Sequence, residues 1–236
     1  MNIMNYYAEF VNDYDHFMID FETYGLQPCV HEISSVAIVC FDMLLGVTKD
    51  PGLHMRVDHS IANYGRERDS GTVVWRAENN VEMMERNIKV VCSPKTMCLE
   101  IARYMRDIQL RTGKPAMIWA KPTKFDIGFL EAYFHLTGNS DLVPYRHSNT
   151  CDLYSWQRGA GVDSRKMHDK AIADMENLHD KAAAHDAMFD CLLQIRNVYH
   201  SVTEVFKNHG EALDEFIRIT NPQQIDVVGA HEEESE

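Results

Sequence analysis

The chain has 236 residues and a hydrophobic fraction of 45%, the length and composition of one globular domain with a sizeable core. Its formal net charge of −13 argues against tight, nonspecific binding to duplex nucleic acid, which depends on neutralising phosphates with Lys and Arg. The longest apolar run, residues 36–41, is far too short to span a bilayer, and no secretion signal is evident. Six cysteines without a C-x-x-C pair indicate neither a zinc site nor a disulfide framework, which favours a reducing compartment.

The first predicted strand, at residues 16–22, alternates apolar side chains with acidic ones. Phe17 and Phe21 share one face, so Asp20 and Glu22 project together from the other. Two adjacent carboxylates repel one another, and a bound divalent cation would keep both ionised. The same pattern also fits an edge strand with two solvated acids.

The next predicted elements form the core. Strands are expected near residues 31–42 and 52–58, and the first is almost wholly apolar, as a central strand buried on both faces would be. Helices are expected near residues 79–89 and 95–112, the second closed by Gly113.

A second acidic segment follows a strand predicted at residues 116–120 and opens a helix predicted at 126–136. Asp126 comes directly after Phe125, and the preceding strand would carry it to the end of the sheet, where α/β sites form. An acid in a first helical turn is also ordinary capping and dipole chemistry, so Asp126 alone is ambiguous.

A basic region follows a predicted strand or turn near residues 149–153 and a short helix. We expect this region to form a loop that either grips a nucleic-acid backbone or is simply solvated. Its basic residues are Arg158, Arg165, Lys166, Lys170 and Lys181.

The third acidic segment precedes a long helix predicted from about residue 185 to 206. Apolar residues recur along it at helical spacing, which marks a stripe that faces the core. His185 lies five residues before Asp190, so the two converge only if His185 sits at or before the helix start. Asp186 either orients His185 or is a solvated acid at that start. A last helix is expected over residues 210–219.

The three acidic segments together form a specific combination. Asp-x-Glu on a first strand, Phe-Asp at a helix start over a hundred residues later, and His-x4-Asp make up the DEDDh pattern. The chain resembles the DEDDh 3′–5′ exonucleases of the ribonuclease H-like superfamily over residues 16–206. Within that family it is most similar to the phage exonuclease A type and the related mycobacterial exoribonuclease type. The tyrosine version of the family would place Tyr where this chain has Asp186.

The resemblance implies an α/β ribonuclease H-like fold, with a mixed sheet of about five strands flanked by helices. It implies a single exonuclease domain over residues 1–226, with its core at 16–206, and we expect an acidic, disordered tail at 227–236. The expected setting is the cytoplasm of a bacterium or of a phage-infected host cell.

Two-metal hydrolysis of phosphodiester bonds is the mechanism that the resemblance implies. Asp20, Glu22 and Asp190 would hold one Mg²⁺ ion. Asp20 would bridge to a second ion, which Asp126 would support directly or through water, and Mn²⁺ would substitute for Mg²⁺. His185 would act as the general base that takes a proton from the attacking water.

Substrate contacts are expected beside the first acidic pair and at two aromatic residues. In the family, the residues just after Asp-x-Glu meet the terminal nucleotide, which indicates Thr23 and Tyr24. Trp75 and Phe125 would stack on bases, because an aromatic face binds any base, although Trp75 also fits a core aromatic. Relatives often carry a second Trp after the first, whereas this chain has Arg76.

The expected activity is removal of nucleotides from the 3′ end of single-stranded DNA or RNA, because an end must thread deep enough to reach both metals. Two alternatives stay open. A module of the same fold would bind ends without cleaving them, although all five catalytic positions are present. An endonuclease of the ribonuclease H type would arrange its acids differently and lack Asp-x-Glu on its first strand.

Overall fold

The computed structural model describes residues 10, 13–79, 81, 85–176 and 185–208, and within them a seven-stranded mixed sheet is flanked by helices. The strands are β1 (Asp15–Thr23), β2 (Ile33–Asp42), β3 (Val47–Thr48), β4 (Leu53–Val57), β5 (Val90–Cys92), β6 (Ala116–Ala120) and β7 (Thr150–Asp152). The helices are α1 (Ser70–Glu78), α2 (Pro94–Thr112), α3 (Thr123–Leu136), α4 (Leu153–Gly159), α5 (Ser164–Glu176) and α6 (Ala187–Asn208).

The strand order across the sheet is β5-β4-β2-β1-β6-β7, and β3 pairs with β2. β2 runs antiparallel to its neighbours β1, β3 and β4, whereas β6 lies parallel to β1 and β7 parallel to β6. The predicted mixed α/β sheet is confirmed, but it has seven strands rather than about five. β3 and β5 add two and three residues respectively, too few to show the alternation from which a strand is predicted.

One helix, α1 (Ser70–Glu78), is not predicted from the sequence pattern, and it ends before the helix predicted near residues 79–89 begins. Asp69 caps it, and its Oδ1 accepts a hydrogen bond from the Thr72 backbone N–H at 2.7 Å. Gly71 and two valines in this segment have low helix propensity and conceal the helix. Within the span predicted at residues 79–89, Val81 and Glu85 are helical, and residues 80 and 82–84 lie outside the described residues.

The basic region expected as a loop is largely a helix, α5. Met167, Ala171 and Met175 recur every four residues and are buried, so α5 packs on the body of the protein through an apolar stripe. Lys166 and Lys170 reach Glu204 of α6 at 3.1 and 3.3 Å. Lys181, the helix predicted at 210–219 and the acidic tail lie outside the described residues.

Alternation along β1 divides its side chains between two cores. Phe17, Ile19 and Phe21 pack with α2 and α3 on one face of the sheet. Met18 packs with α6 on the other face, and Asp20 and Glu22 follow it on that side. No described helix is long and apolar enough to cross a bilayer.

The sheet opens where β1 extends past β6. The two strands pair only from Asp15 to Met18 of β1, and the chain then leaves β6 to enter α3. The Phe21 backbone N–H therefore has no partner on β6, and it donates to Asp126 Oδ1 at 3.1 Å instead. An opening at the carboxyl ends of neighbouring strands is where α/β sheets bind ligands.

Candidate active site

Four carboxylates from three elements meet at this opening. β1 contributes Asp20 and Glu22, the first turn of α3 contributes Asp126, and the first turn of α6 contributes Asp190. Asp126 is buried and the other three are partly buried. The structure thus brings together all four acids that the sequence pattern singles out.

Burial and mutual repulsion raise the pKa values of all four carboxyl groups. Burial, together with the charges of neighbouring acids, raises the pKa of Glu22 to about 8, of Asp126 to about 7 and of Asp190 to about 6. The pKa of Asp20 lies well above its ordinary value because of burial and then of the charges of Asp126, Asp190 and Glu22. Such a set of oxygen donors fits Mg²⁺ or Mn²⁺, since a divalent cation removes the repulsion.

Two basic side chains approach the acids. Arg76 Nη1 lies 3.4 Å from Glu22 Oε2. Burial lowers the pKa of Lys121, whereas Asp190 and Asp20 act in the opposite direction. Two cations against four carboxylates leave an excess of negative charge when the acids ionise, so the residues described here do not neutralise the cluster themselves.

His185 reaches the acids from a turn that precedes α6. Its φ is +68°, in the left-handed region, and the helix begins two residues later at Ala187. The histidine therefore lies before the helix start, which is the condition for its convergence with Asp190. A ring nitrogen of His185 and one carboxylate oxygen each of Glu22 and Asp190 all lie within 4.8 Å of one another.

Asp186 caps α6. Its Oδ1 accepts hydrogen bonds from the backbone N–H groups of Met188 and Phe189, both at 3.0 Å. Its Oδ2 lies 3.6 Å from His54 Nε2. Of the two interpretations of Asp186, the geometry therefore favours an acid that defines the helix start over one that orients His185 directly.

Two further polar residues touch the acids, and sequence reasoning missed both. Gln194 Nε2 donates to Asp20 Oδ1 at 2.8 Å. Gln194 lies four residues after Asp190, so the two share a helix face, a spacing from which Gln194 was predictable. Arg76 has no such signal, because its contact with Glu22 depends on how α1 packs against β1.

A cavity of about 490 Å³ adjoins the acids, and Glu22, Thr23, Trp75 and Phe125 all line it. Trp75 is 42% exposed, so it is not a core aromatic. Its ring meets the His185 ring edge to face, with centroids 4.8 Å apart. Three of the four residues predicted to contact substrate thus line the same cavity beside the acids.

Tyr24, the fourth predicted substrate contact, occupies a different position. Its side chain is buried, and the Arg68 and Arg76 guanidinium groups lie 4.1 and 4.6 Å from its ring centroid. Tyr24 therefore supports the site from within the protein.

Structures of exonuclease I share this fold. One has a TM-score of 0.53 at 13% identity and covers 92% of this chain and 44% of that chain. The zinc-bound complex of E. coli exonuclease I with single-stranded DNA gives 0.53 at 14%, covering 93% and 43%. The E. coli exonuclease I complex with a dT13 oligonucleotide gives 0.52 at 13%, covering 92% and 44%. This chain spans less than half the length of these exonuclease I chains, and the low identity shows the fold alone.

Sequence comparison identifies the family. A search of curated proteins gives no match to this chain. Residues 15–202 match the model of the 3′-5′ exoribonuclease Rv2179c-like domain, and this stretch includes all five residues of the acid and histidine pattern. The chain therefore belongs to the 3′-5′ exoribonuclease Rv2179c-like domain family, DEDD-type exonucleases of the ribonuclease H-like superfamily.

Proposed function

We propose that this 3′–5′ exonuclease depends on divalent metal ions and removes nucleotides from the 3′ end of single-stranded nucleic acid. The observation that carries the proposal is the convergence of four carboxylates of raised pKa beside His185. A cluster that repels itself in the absence of a cation is costly to keep for stability alone, and such costs are typical of functional sites.

Mg²⁺ is the ion that we propose for the site, with Mn²⁺ as a substitute. Asp20, Glu22 and Asp190 would hold one ion, and Asp126 together with Asp20 would hold a second. Bound ions would supply positive charge for the scissile phosphate and for the attacking water. Gln194 would keep Asp20 in place through its hydrogen bond of 2.8 Å.

His185 is proposed as the general base that accepts a proton from the attacking water at a ring nitrogen. Histidine is the side chain that most often serves as a general base, and His185 is exposed, so it can pass the proton on to solvent. The Trp75 ring rests against it and limits the orientations of the imidazole.

The cavity beside the acids is proposed to receive the terminal nucleoside. Trp75 and Phe125 offer aromatic faces, and Thr23 lies next to Glu22 on the same wall. Stacking on an aromatic ring requires an unpaired base and tolerates any base, which favours single-stranded substrates of mixed sequence.

The test is a gel time course on single-stranded DNA and RNA of matched sequence, labelled at the 5′ end, with Mg²⁺, Mn²⁺ or EDTA. We expect a descending ladder that requires metal and disappears in Asp20→Asn. Asp42→Asn is the matched control. Asp42 also lies in the sheet, and its Oδ1 accepts hydrogen bonds from Leu44 and Leu45, which an asparagine oxygen can accept as well.

The same assay separates the alternatives. Intact substrate in every metal lane, with a band shift still seen, would contradict the proposal in favour of an end-binding module. Cleavage of a circular single strand would contradict it in favour of an endonuclease. The faster of the two ladders identifies the preferred sugar.

A further inference from the structure

We propose that Arg76 is a positioning residue for Glu22 as a metal ligand, and that Glu85 anchors Arg76 in this role. The inference rests on the proposed function, and it assigns to Arg76 and Glu85 a role in holding a metal ligand in place.

Arg76 is a buried cation held between two acids. Its side chain is 1% exposed, and its Nη2 lies 2.7 Å from Glu85 Oε1. On the other side, Nη1 lies 3.4 Å from Glu22 Oε2 and donates to the Thr23 backbone oxygen at 3.4 Å. A buried charge is tolerated when it is paired and hydrogen-bonded, and here one guanidinium connects a site acid to an acid outside the site.

Glu85 is itself attached to the strand next to Glu22. Its Oε1 accepts hydrogen bonds from Ser34 Oγ at 2.7 Å and Ser35 Oγ at 3.0 Å. Ser35 is the residue of β2 that stands opposite Glu22 in the ladder with β1. The side-chain contacts from Glu22 through Arg76 and Glu85 therefore return to the backbone position beside Glu22, and this closed ring of contacts restricts the Glu22 carboxylate.

The guanidinium suits this role because it is planar and presents its donors in a fixed fork, whereas a lysine ammonium is a single point charge. Arg76 pairs with one oxygen of Glu22. A carboxylate offers about four lone-pair positions, so acceptor capacity remains for a metal ion. Arg76 has two opposing effects on a cation, since its charge repels the ion while its geometry orients the ligand. Arg76→Lys keeps the charge and removes the fork, so it isolates the second effect.

The experiment measures Mn²⁺ binding to the full chain by electron paramagnetic resonance, alongside melting of the metal-free protein. We expect Arg76→Lys and Glu85→Gln to weaken Mn²⁺ binding by about 10- to 100-fold, the usual cost of removing a residue that supports a metal ligand. The control is Arg66→Lys. Arg66 is also buried, at 8% exposure, and lies over the Tyr133 ring at 5.2 Å, so it tests the general cost of changing a buried arginine.

Wild-type Mn²⁺ affinity in Arg76→Lys and in Glu85→Gln would overturn the inference, whatever their melting temperatures. If Arg76→Lys does not fold, Glu85→Gln decides. If the wild type binds Mn²⁺ and cleaves, and both variants bind Mn²⁺ as tightly as the wild type, the inference is wrong and the proposed function stands. If the wild type shows no Mn²⁺ binding that is lost in Asp190→Asn, both the inference and the proposed function are wrong.

Discussion

Asp126 shows how much one side chain contributes to the site. An acid in the first turn of a helix is expected to serve that helix, yet Asp126 Oδ1 accepts a hydrogen bond from Phe21 of β1. The bond satisfies a backbone donor that β6 does not reach, and it draws the acid towards Asp20 and Asp190. His185 also reaches the site through its own local geometry. Its positive φ turns the imidazole towards acids that a regular helix would separate from it.

Asp190→Asn tests whether a single acid of the cluster serves cleavage rather than stability. The substitution removes one of four mutually repelling groups, whose pKa burial raises to about 6. We expect cleavage to be abolished and the metal-free protein to melt at or above the wild-type temperature. Thermal melting in EDTA and the gel assay check the two parts. Unfolding of the variant, or full activity, would show that Asp190 is a structural acid.

Trp75→Ala tests the support of His185. The edge-to-face contact at 4.8 Å is lost, so the imidazole gains alternative orientations and kcat should fall by about 10-fold, a part of the roughly 10²- to 10⁴-fold that general-base catalysis contributes. Trp75→Phe should recover part of the rate. Val74→Ala is the control, because Val74 is the adjacent residue of α1 and 56% exposed. Equal rates for Trp75→Ala and the control would remove Trp75 from the site.

At the scale of secondary-structure elements, the site is built from the ends of one strand and two helices. β1 delivers two acids beyond its last pair with β6, and α3 delivers Asp126 from its first turn. α6 delivers the most, since His185 precedes it, Asp190 lies in its first turn and Gln194 follows one turn later. The start of α6 is therefore a structural requirement for the arrangement, and the Asp186 cap defines that start.

Asp186→Ala should lower the free energy of unfolding by about 1 kcal/mol, the usual cost of losing a helix cap, and should also slow cleavage because His185 is displaced. Asp163→Ala is the matched control. Asp163 Oδ1 accepts from the Arg165 and Lys166 backbone N–H groups at the start of α5, far from the acids in the chain. Urea unfolding and the gel assay together decide, because a similar loss of activity in both variants would mean that stability alone explains it.

At the scale of the whole molecule, the acid cluster makes stability depend on pH. Glu22 has a folded pKa of about 8 against an ordinary 4.5, so the folded state binds its proton more tightly than the unfolded state. That stabilisation is complete below 4.5 and is lost as the pH rises through about 8. His16 acts oppositely, because burial lowers its pKa from 6.5 to about 3 and stability is lost as the pH falls below 6.5. Above pH 6.5, therefore, the acids rather than His16 set the pH dependence of stability.

Metal-free protein should lose about 2 kcal/mol of unfolding free energy from Glu22 between pH 6.5 and about 8.5, since one pKa unit corresponds to about 1.4 kcal/mol. Urea unfolding in EDTA at the two pH values measures the loss. Glu22→Gln should show a flatter dependence, and Mg²⁺ should restore the wild type most at the higher pH, because only ionised acids bind it. A dependence unchanged by Glu22→Gln would contradict the assignment.

The sequence by itself determined those features that a short window of residues encodes. Alternation in β1 placed Asp20 and Glu22 on one face, and helical spacing identified α2, α3 and α6 within a few residues of their observed ends. The tertiary structure alone decided what joins distant segments: the bond between Phe21 and Asp126 and the contact of Arg76 with Glu22. The physical reason is that periodicity repeats within two or three turns of chain, whereas these contacts span 105 and 54 residues and exist only once the helices have packed on the sheet.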